Sequence, residues 1–242
     1  MTNHAALASS FGPAADIYER GRPAYPAEAL DWLLPAGNPR VLDLGAGTGK
    51  LTRQIRDRGL AVTAVDPSEG MLAQLAASVP GVPAVLGAAE SIPLPAGSAD
   101  VVLVAQAWHW VDPRRALPEV ARVLAPGGRL GLVWNTRDQS SDFIRRLDEI
   151  IGNEDRARQP VVGAPFGPVE THLVSWTDVI GPEQLIDLVA SRSGVIVLAP
   201  GERAALLDEV RRLAATHPAV AGRTEFEMPY VTVCARAALP LP

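Results

Sequence analysis

The residues best placed to do chemistry stand in one short stretch, VLDLGAGTGK, from Val41 to Lys50. Three glycines and Ala46 follow an apolar run, so the backbone turns tightly there and leaves room for a ligand to approach it. A triphosphate loop would need G-x-x-x-x-G-K-[ST], but the position five before Gly49 is Leu44, and Leu51 follows Lys50 where a hydroxyl should hold magnesium. A dinucleotide fingerprint, G-x-G-x-x-G, would place its third glycine at 50, where Lys50 stands, with Gly49 one position early. That reading is weakened without being excluded. Asp43 adds a constraint, because a carboxylate just before Gly45 repels a pyrophosphate and suits a cationic amino group. The ligand is therefore expected to carry positive charge. Two further acids and bases stand out: Asp66 closes a second apolar run, and His109 sits between Trp108 and Trp110.

Positioning these residues takes alternating elements, and the chain supplies them. Val-rich runs at 40–44, 61–66, 82–87, 99–106 and 129–135 read as buried parallel strands. Between them Met71, Leu72, Leu75, Ala76 and Val79 share one helical face, as do Ala116, Leu117, Val120, Val123 and Leu124. Strand alternating with helix predicts an α/β fold, doubly wound, with its ligand beyond the carboxyl ends of the strands. After Asn135 the pattern changes. A helix is marked by Phe143, Ile144, Leu147, Ile150 and Ile151, a strand by 169–180, two helices by Leu185, Ile186, Val189 and by Leu206, Leu207, Val210, Leu213, and a last strand by 224–237. The expectation is a seven-stranded, mostly parallel sheet with an antiparallel last strand, in which Pro229 suits an edge or a bulge.

Composition excludes several classes. With 242 residues, 48% hydrophobic and 20% charged, the chain can bury a full core as one domain. One cysteine, Cys234, allows neither an internal disulfide nor a cysteine-rich metal site. The four histidines, His4, His109, His172 and His217, lack metal-ligand spacing, so no metal is expected. The N-terminal MTNHAALASSFG has neither the basic start nor the apolar run of a secretory signal, which makes the cytoplasm the expected compartment. No run reaches the roughly 18 to 20 apolar residues of a membrane span, and a net charge of −5 disfavours nucleic acid. The expected partner is a small molecule.

With these features in view, the chain resembles the class I S-adenosylmethionine-dependent methyltransferases. LDLGAGTG matches their first motif, an acidic residue followed by G-x-G-x-G. VDPSEGM, seventeen positions past Gly49 at Asp66, resembles the second, AAESIPLPAGSAD (88–100) the third, and ARVLAPGG (121–128) the turn before the fifth strand. FGPAADIYERGRPAYP (11–26) and AQAWHWVD (105–112) are similar to signatures of the small-molecule branch called type 11, and within it to trans-aconitate methyltransferase-like proteins. The resemblance implies S-adenosylmethionine as cofactor, held by Asp43, Gly45, Ala46, Gly47 and Thr48. It implies Asp66 on the ribose, with Pro67, Ser68 and Met71 beside the adenine, and Ala105 and Gln106 in the fourth motif. Position 88 is alanine where the family has aspartate, so adenine recognition would fall to Ala89 and Glu90. Tyr18 and Arg22 would fold over the cofactor's amino-acid end. A nicotinamide dehydrogenase, and a domain that binds the cofactor without turnover, stay open as alternatives.

A methyltransferase reading sets out roles for the rest. The substrate nucleophile attacks the sulfonium methyl in line, and positioning supplies most of the acceleration, on the order of 7 to 11 kcal/mol. A carboxylate nucleophile is already ionised at neutral pH, whereas a phenol or alcohol would need a base such as His109. Trp108, Trp110 and Trp134 are candidates to wall the reaction centre. The whole chain, 1–242, is expected to form one domain, with segment 1–38 covering the cofactor and inserts 136–168 and 181–222 roofing a small-molecule pocket. Arg137 and Arg192 are the cations expected to meet an acidic acceptor.

Overall fold

In the computed structural model, which describes residues 21–152 and 161–241, the Val-rich runs lie side by side as a seven-stranded sheet ordered β3-β2-β1-β4-β5-β7-β6. β1 (Val41–Leu44), β2 (Val62–Asp66), β3 (Ala84–Leu86), β4 (Ala99–Ala105) and β5 (Leu124–Arg137) are parallel. β7 (Phe226–Ala238) inserts antiparallel between β5 and the edge strand β6 (Glu170–Ile180). The order reverses between β1 and β4, and there the crossovers diverge to opposite faces and open a crevice at the strands' carboxyl ends.

Helices cover both faces. α1 (Ala27–Leu33) packs on β6 and β7, α2 (Lys50–Asp57) on β1 and β2, α3 (Glu69–Ser78) on β2 and β3, and α4 (Pro113–Val123) on β5. Asp112 caps α4 by accepting from the Arg114 N–H at 3.0 Å, with Pro113 in the first turn where its missing N–H costs nothing. The main core joins Leu42, Leu44, Val102, Val104, Leu130 and Leu132 to Val120 and Val123 of α4. α5 (Asp142–Ile151), α6 (Pro182–Ala190), α7 (Ser193–Ile196) and α8 (Pro200–Thr216) build a second core around Phe143, Leu147, Leu185, Val210, Phe226 and Met228.

Two expectations need correction. Strand and helix do not alternate throughout: no helix separates β3 from β4. Pro93, Pro95 and Gly97 break helical pairing in that stretch. It is pinned to α4 instead, where the Arg122 guanidinium donates to the carbonyls of Ile92 and Leu94 at 2.7 Å each and Glu119 accepts from the Ile92 N–H at 2.9 Å. Pro229 lies in an inner strand rather than at an edge. The ladder to β5 starts one residue later, at Tyr230 opposite Arg137, so the missing N–H leaves no gap.

The register also fixes where the late helices emerge. Ile180 pairs with Phe226, a few residues beyond the Arg137–Tyr230 pair, so residues 181–225 leave and re-enter the sheet at the carboxyl end of β5. Among the described residues no helix is long and apolar enough to cross a membrane.

Candidate functional site

The glycine turn follows β1 directly. Gly45, Gly47 and Gly49 have φ of 74°, 56° and 90°, a region that side-chain-bearing residues avoid. A Cβ on Gly45 would stand 2.8 Å from the Ala107 Cβ, and one on Gly49 2.8 Å from the Leu75 Cγ, whereas the space above Gly47 is open. Two of the glycines thus permit packing, and the middle one leaves a bare backbone for a ligand. The turn forms one side of a cleft lined by Arg22, Pro23, Tyr25, Asp43, Gly45, Ala46, Gly47, Thr48, Lys50, Leu51, Ala105, Gln106 and Asn135.

Asp43 carries the strongest electrostatic signal. It is fully buried; its Oδ2 accepts from the Thr52 hydroxyl at 2.5 Å, and its Oδ1 has no hydrogen-bond partner. Burial pushes its carboxyl up to about 7; the Thr52 bond opposes that shift and the nearby Asp66 charge adds to it. A buried carboxylate with an empty lone pair beside a cleft calls for a cationic donor. Such a group fits an ammonium and opposes a pyrophosphate, which disfavours the nicotinamide alternative.

Asp66, outside the lining of the cleft, lies behind the glycine turn, where Oδ2 accepts from the Gly47 N–H and Oδ1 from the Ser68 N–H, each at 2.9 Å. Burial raises its pKa while those two bonds lower it. Each oxygen keeps a further lone pair, so the side chain braces the glycine turn and remains able to accept from a hydroxyl. On the opposite wall Gln106 is the only non-glycine with positive φ among the described residues, at 55°. It is held there by its N–H to the Val133 carbonyl at 2.9 Å and its side-chain amide to the Asn135 carbonyl at 3.0 Å. Strain of this kind collects at ligand sites.

A strap, residues 21–25, crosses the cleft. Gly21 lies so close to α6 that a Cβ would come within 2.5 Å of the Asp187 carbonyl oxygen, and Arg22 Nε donates to Ser191 Oγ at 3.2 Å. Gln54 clasps Tyr25, accepting from its N–H at 3.0 Å and donating to its carbonyl at 2.7 Å.

Of the residues singled out in the sequence, Arg22, Asp43, Gly45, Ala46, Gly47, Thr48, Ala105 and Gln106 meet around this cleft. Tyr18 lies outside the described residues. Pro67, Ser68 and Met71 follow Asp66 away from the lining: Pro67 is exposed, Ser68 caps α3 through the Met71 N–H, and Met71 is buried. Ala89 is buried, and Glu90 accepts from the Asp112 N–H at 2.8 Å. Trp108 and Trp134 are core residues, with Trp108 Nε1 bonded to the Val161 carbonyl. His109 is exposed on a one-turn helix (Trp108–Trp110), its ring 4.7 Å from that of Trp110. Both acceptor arginines need correction. Arg137 is buried in an ion pair with Asp148, at 2.6 Å and 2.9 Å from Oδ1, because α5 brings that carboxylate back over the end of β5. Arg192 is 1% exposed and donates to the Gly152 carbonyl at 3.3 Å, within the second core rather than at the cleft. Pro23, Tyr25, Lys50, Leu51 and Asn135 were missed; the available signal for Asn135 was a polar residue ending an otherwise apolar strand.

Comparison with known proteins agrees with this geometry. A methyltransferase-domain family model matches residues 42–132, which span the glycine turn through β5. An uncharacterized methyltransferase of Mycobacterium tuberculosis is 59% identical over 235 residues, covering 96% of this chain and 97% of its own. The malonyl-[acyl-carrier protein] O-methyltransferase of Pectobacterium atrosepticum is 30% identical over 200 residues, 80% and 79% of the two chains. Among solved structures, a candidate type II methyltransferase from Anaeromyxobacter dehalogenans superimposes with a TM-score of 0.67 over 90% of this chain and 99% of that one, at 24% identity. A buried acid, an open glycine turn and a second acid bracing that turn at the switch point of this sheet, with a relative of such identity along nearly the whole length, place the chain in the family of S-adenosylmethionine-dependent methyltransferases.

Proposed function

We propose that the cleft holds S-adenosylmethionine and that the methyl group passes to a small organic acid. The observation that carries the cofactor assignment is the unpartnered Oδ1 of buried Asp43, which fits the ammonium of the cofactor's amino-acid end. Asp66 accepts from the ribose hydroxyls, Ala89 and Glu90 border the adenine, and Arg22, with Tyr18 preceding it, meets the carboxylate. The bound cofactor supplies a methyl group activated by a sulfonium, which leaves as a neutral thioether.

The chain's own part is to orient and to exclude water. Residues 181–222 rise at the carboxyl end of the sheet, and Ser191 ties them to the strap through Arg22, an arrangement that favours an enclosed pocket. With Arg137 and Arg192 engaged elsewhere, Lys50 is the cation of the lining besides Arg22. The malonyl-[acyl-carrier protein] O-methyltransferase relative is named for methylation at an oxygen of a malonyl group, which supports a carboxylate acceptor here. A carboxylate needs no base, so in this reading His109 has no proton to move. The test is a panel of small carboxylates, phenols and amines, with methyl-labelled cofactor and S-adenosylhomocysteine release as the readout. Transfer to carboxylates is expected. Reaction with phenols alone, abolished by His109→Ala, overturns the acid assignment, and methylation only of DNA, RNA or protein overturns the enclosed pocket.

A further inference from the structure

Asn135 lies two residues from the end of β5, at the cleft and 5% exposed, and its amide is held in one orientation by a relay that starts two strands away. Trp176 on β6 donates its indole N–H to Thr232 Oγ1 at 2.8 Å. An indole nitrogen can only donate, so the Thr232 hydroxyl accepts there and spends its single proton on Asn135 Oδ1, at 2.6 Å. That choice turns the amide oxygen toward β7 and the amide nitrogen toward the strap and the cleft. One Nδ2 proton goes to the Ala24 carbonyl at 3.1 Å. The other has no partner among the described residues, on a side chain that lines the cleft with Asp43, Arg22 and Lys50.

We propose that this second N–H is a ligand donor, and that its acceptor is the carboxylate of the cofactor's amino-acid end. The inference rests on the cofactor reading above, in which Asp43 takes the ammonium of the same group. An ammonium at Asp43 brings its carboxylate to the same end of the cleft, where the lining offers N–H donors and cations rather than further acceptors. The relay keeps Asn135 a donor: rotating the amide would set its oxygen against the Ala24 carbonyl and its nitrogen against a hydroxyl already donating to it.

Calorimetric titration with S-adenosylhomocysteine and with its decarboxylated analogue isolates the contact. Wild type is expected to prefer the carboxylate-bearing nucleoside, and Asn135→Ala to reduce that preference about tenfold or more, the range for loss of a hydrogen bond to a charged group. Asn135→Asp, nearly isosteric and so a second route if the alanine variant folds poorly, is expected to reverse the preference by repelling the carboxylate. Gln54→Ala, which loosens the strap at Tyr25 from a position outside the lining and leaves Asn135 and its relay in place, should leave the preference within about twofold. An unchanged preference in Asn135→Ala or Asn135→Asp overturns the proposal, as does an equal loss in Gln54→Ala, which would route the effect through the strap. If only the acceptor's KM rises, the donor serves the acceptor's carboxylate and the assignment to the cofactor is wrong. Failure of wild type to bind either nucleoside overturns the cofactor reading, and this proposal with it.

Discussion

Asp43→Asn should make the ligand-free protein more stable and the liganded one harder to form. Burial holds the folded carboxyl at about 7, whereas in the unfolded chain it titrates near its ordinary value of 3.8. Between those two values the unfolded chain gives up the proton while the folded one keeps it, so stability falls as pH rises through that window and is flat above it. A shift of roughly three units corresponds to about 4 kcal/mol lost by pH 8. Asparagine keeps an oxygen for the Thr52 hydroxyl and carries no charge, so even half of that figure raises Tm by about 4 to 8 °C at pH 8. At pH 5, little more than one unit into that window, the gap between the two proteins should shrink to roughly 1.6 kcal/mol. Binding moves the other way: losing an ionic partner for the ammonium costs about 1.5 to 3 kcal/mol, roughly ten- to a hundredfold in affinity. Wild-type affinity should itself weaken about tenfold from pH 8 to pH 6, as the ionised fraction drops from roughly nine-tenths to one-tenth. Thermal denaturation across pH 5 to 8, paired with titration of S-adenosylhomocysteine, measures both limbs. A variant less stable than wild type at pH 8, or one that binds unchanged, refutes the reasoning.

Arg137→Ala strands Asp148 in the second core, and a loss of about 3 to 5 kcal/mol in denaturant unfolding is expected; a rise in acceptor KM with stability intact would return this arginine to the pocket. Asp66→Asn should cut S-adenosylhomocysteine affinity roughly ten- to a hundredfold by titration, and Tm should fall in both Asp66→Asn and Asp66→Ala, because one backbone N–H loses its acceptor in the first and two in the second. With a carboxylate acceptor, His109→Ala should keep kcat within about threefold, since removal of a working general base costs about a hundredfold or more.

The sheet was legible because its signal is local: each Val-rich run is short, apolar on both faces and bounded by turns, and the glycine turn announces the switch point. The wall of the cleft was legible for the same reason, since Asp43, Gly45 and Gly47, with Asp66 bracing them, stand at fixed offsets from strand ends. What failed depended on partners remote in sequence or hidden by topology. Arg137 looks like a free cation after a strand until α5 returns Asp148 to it, eleven positions on. Arg192 looks like a loop cation until α6 and α7 bury it. Asn135 looks like a strand end, because its role depends on Thr232 and Trp176, ninety-seven and forty-one positions away. The paired Trp108 and Trp134 were compatible with either a wall or a core, and packing decides for the core.

The Ile180–Phe226 pair has a consequence for how such proteins diversify. Everything between those two residues hangs from a single closed rung of the sheet, as a long hairpin loop does. Lengthening a segment closed in this way is cheap at the rung, about 0.6 kcal/mol for each doubling, so the strand pairing itself tolerates a change of length above it. The turns within 181–225 can therefore change in length, whereas Ser191, which anchors the strap, and Leu185 and Val210, which pack on Phe226 and Met228, must keep their places. Length can then drift in those turns while the paired strands beneath them stay in register.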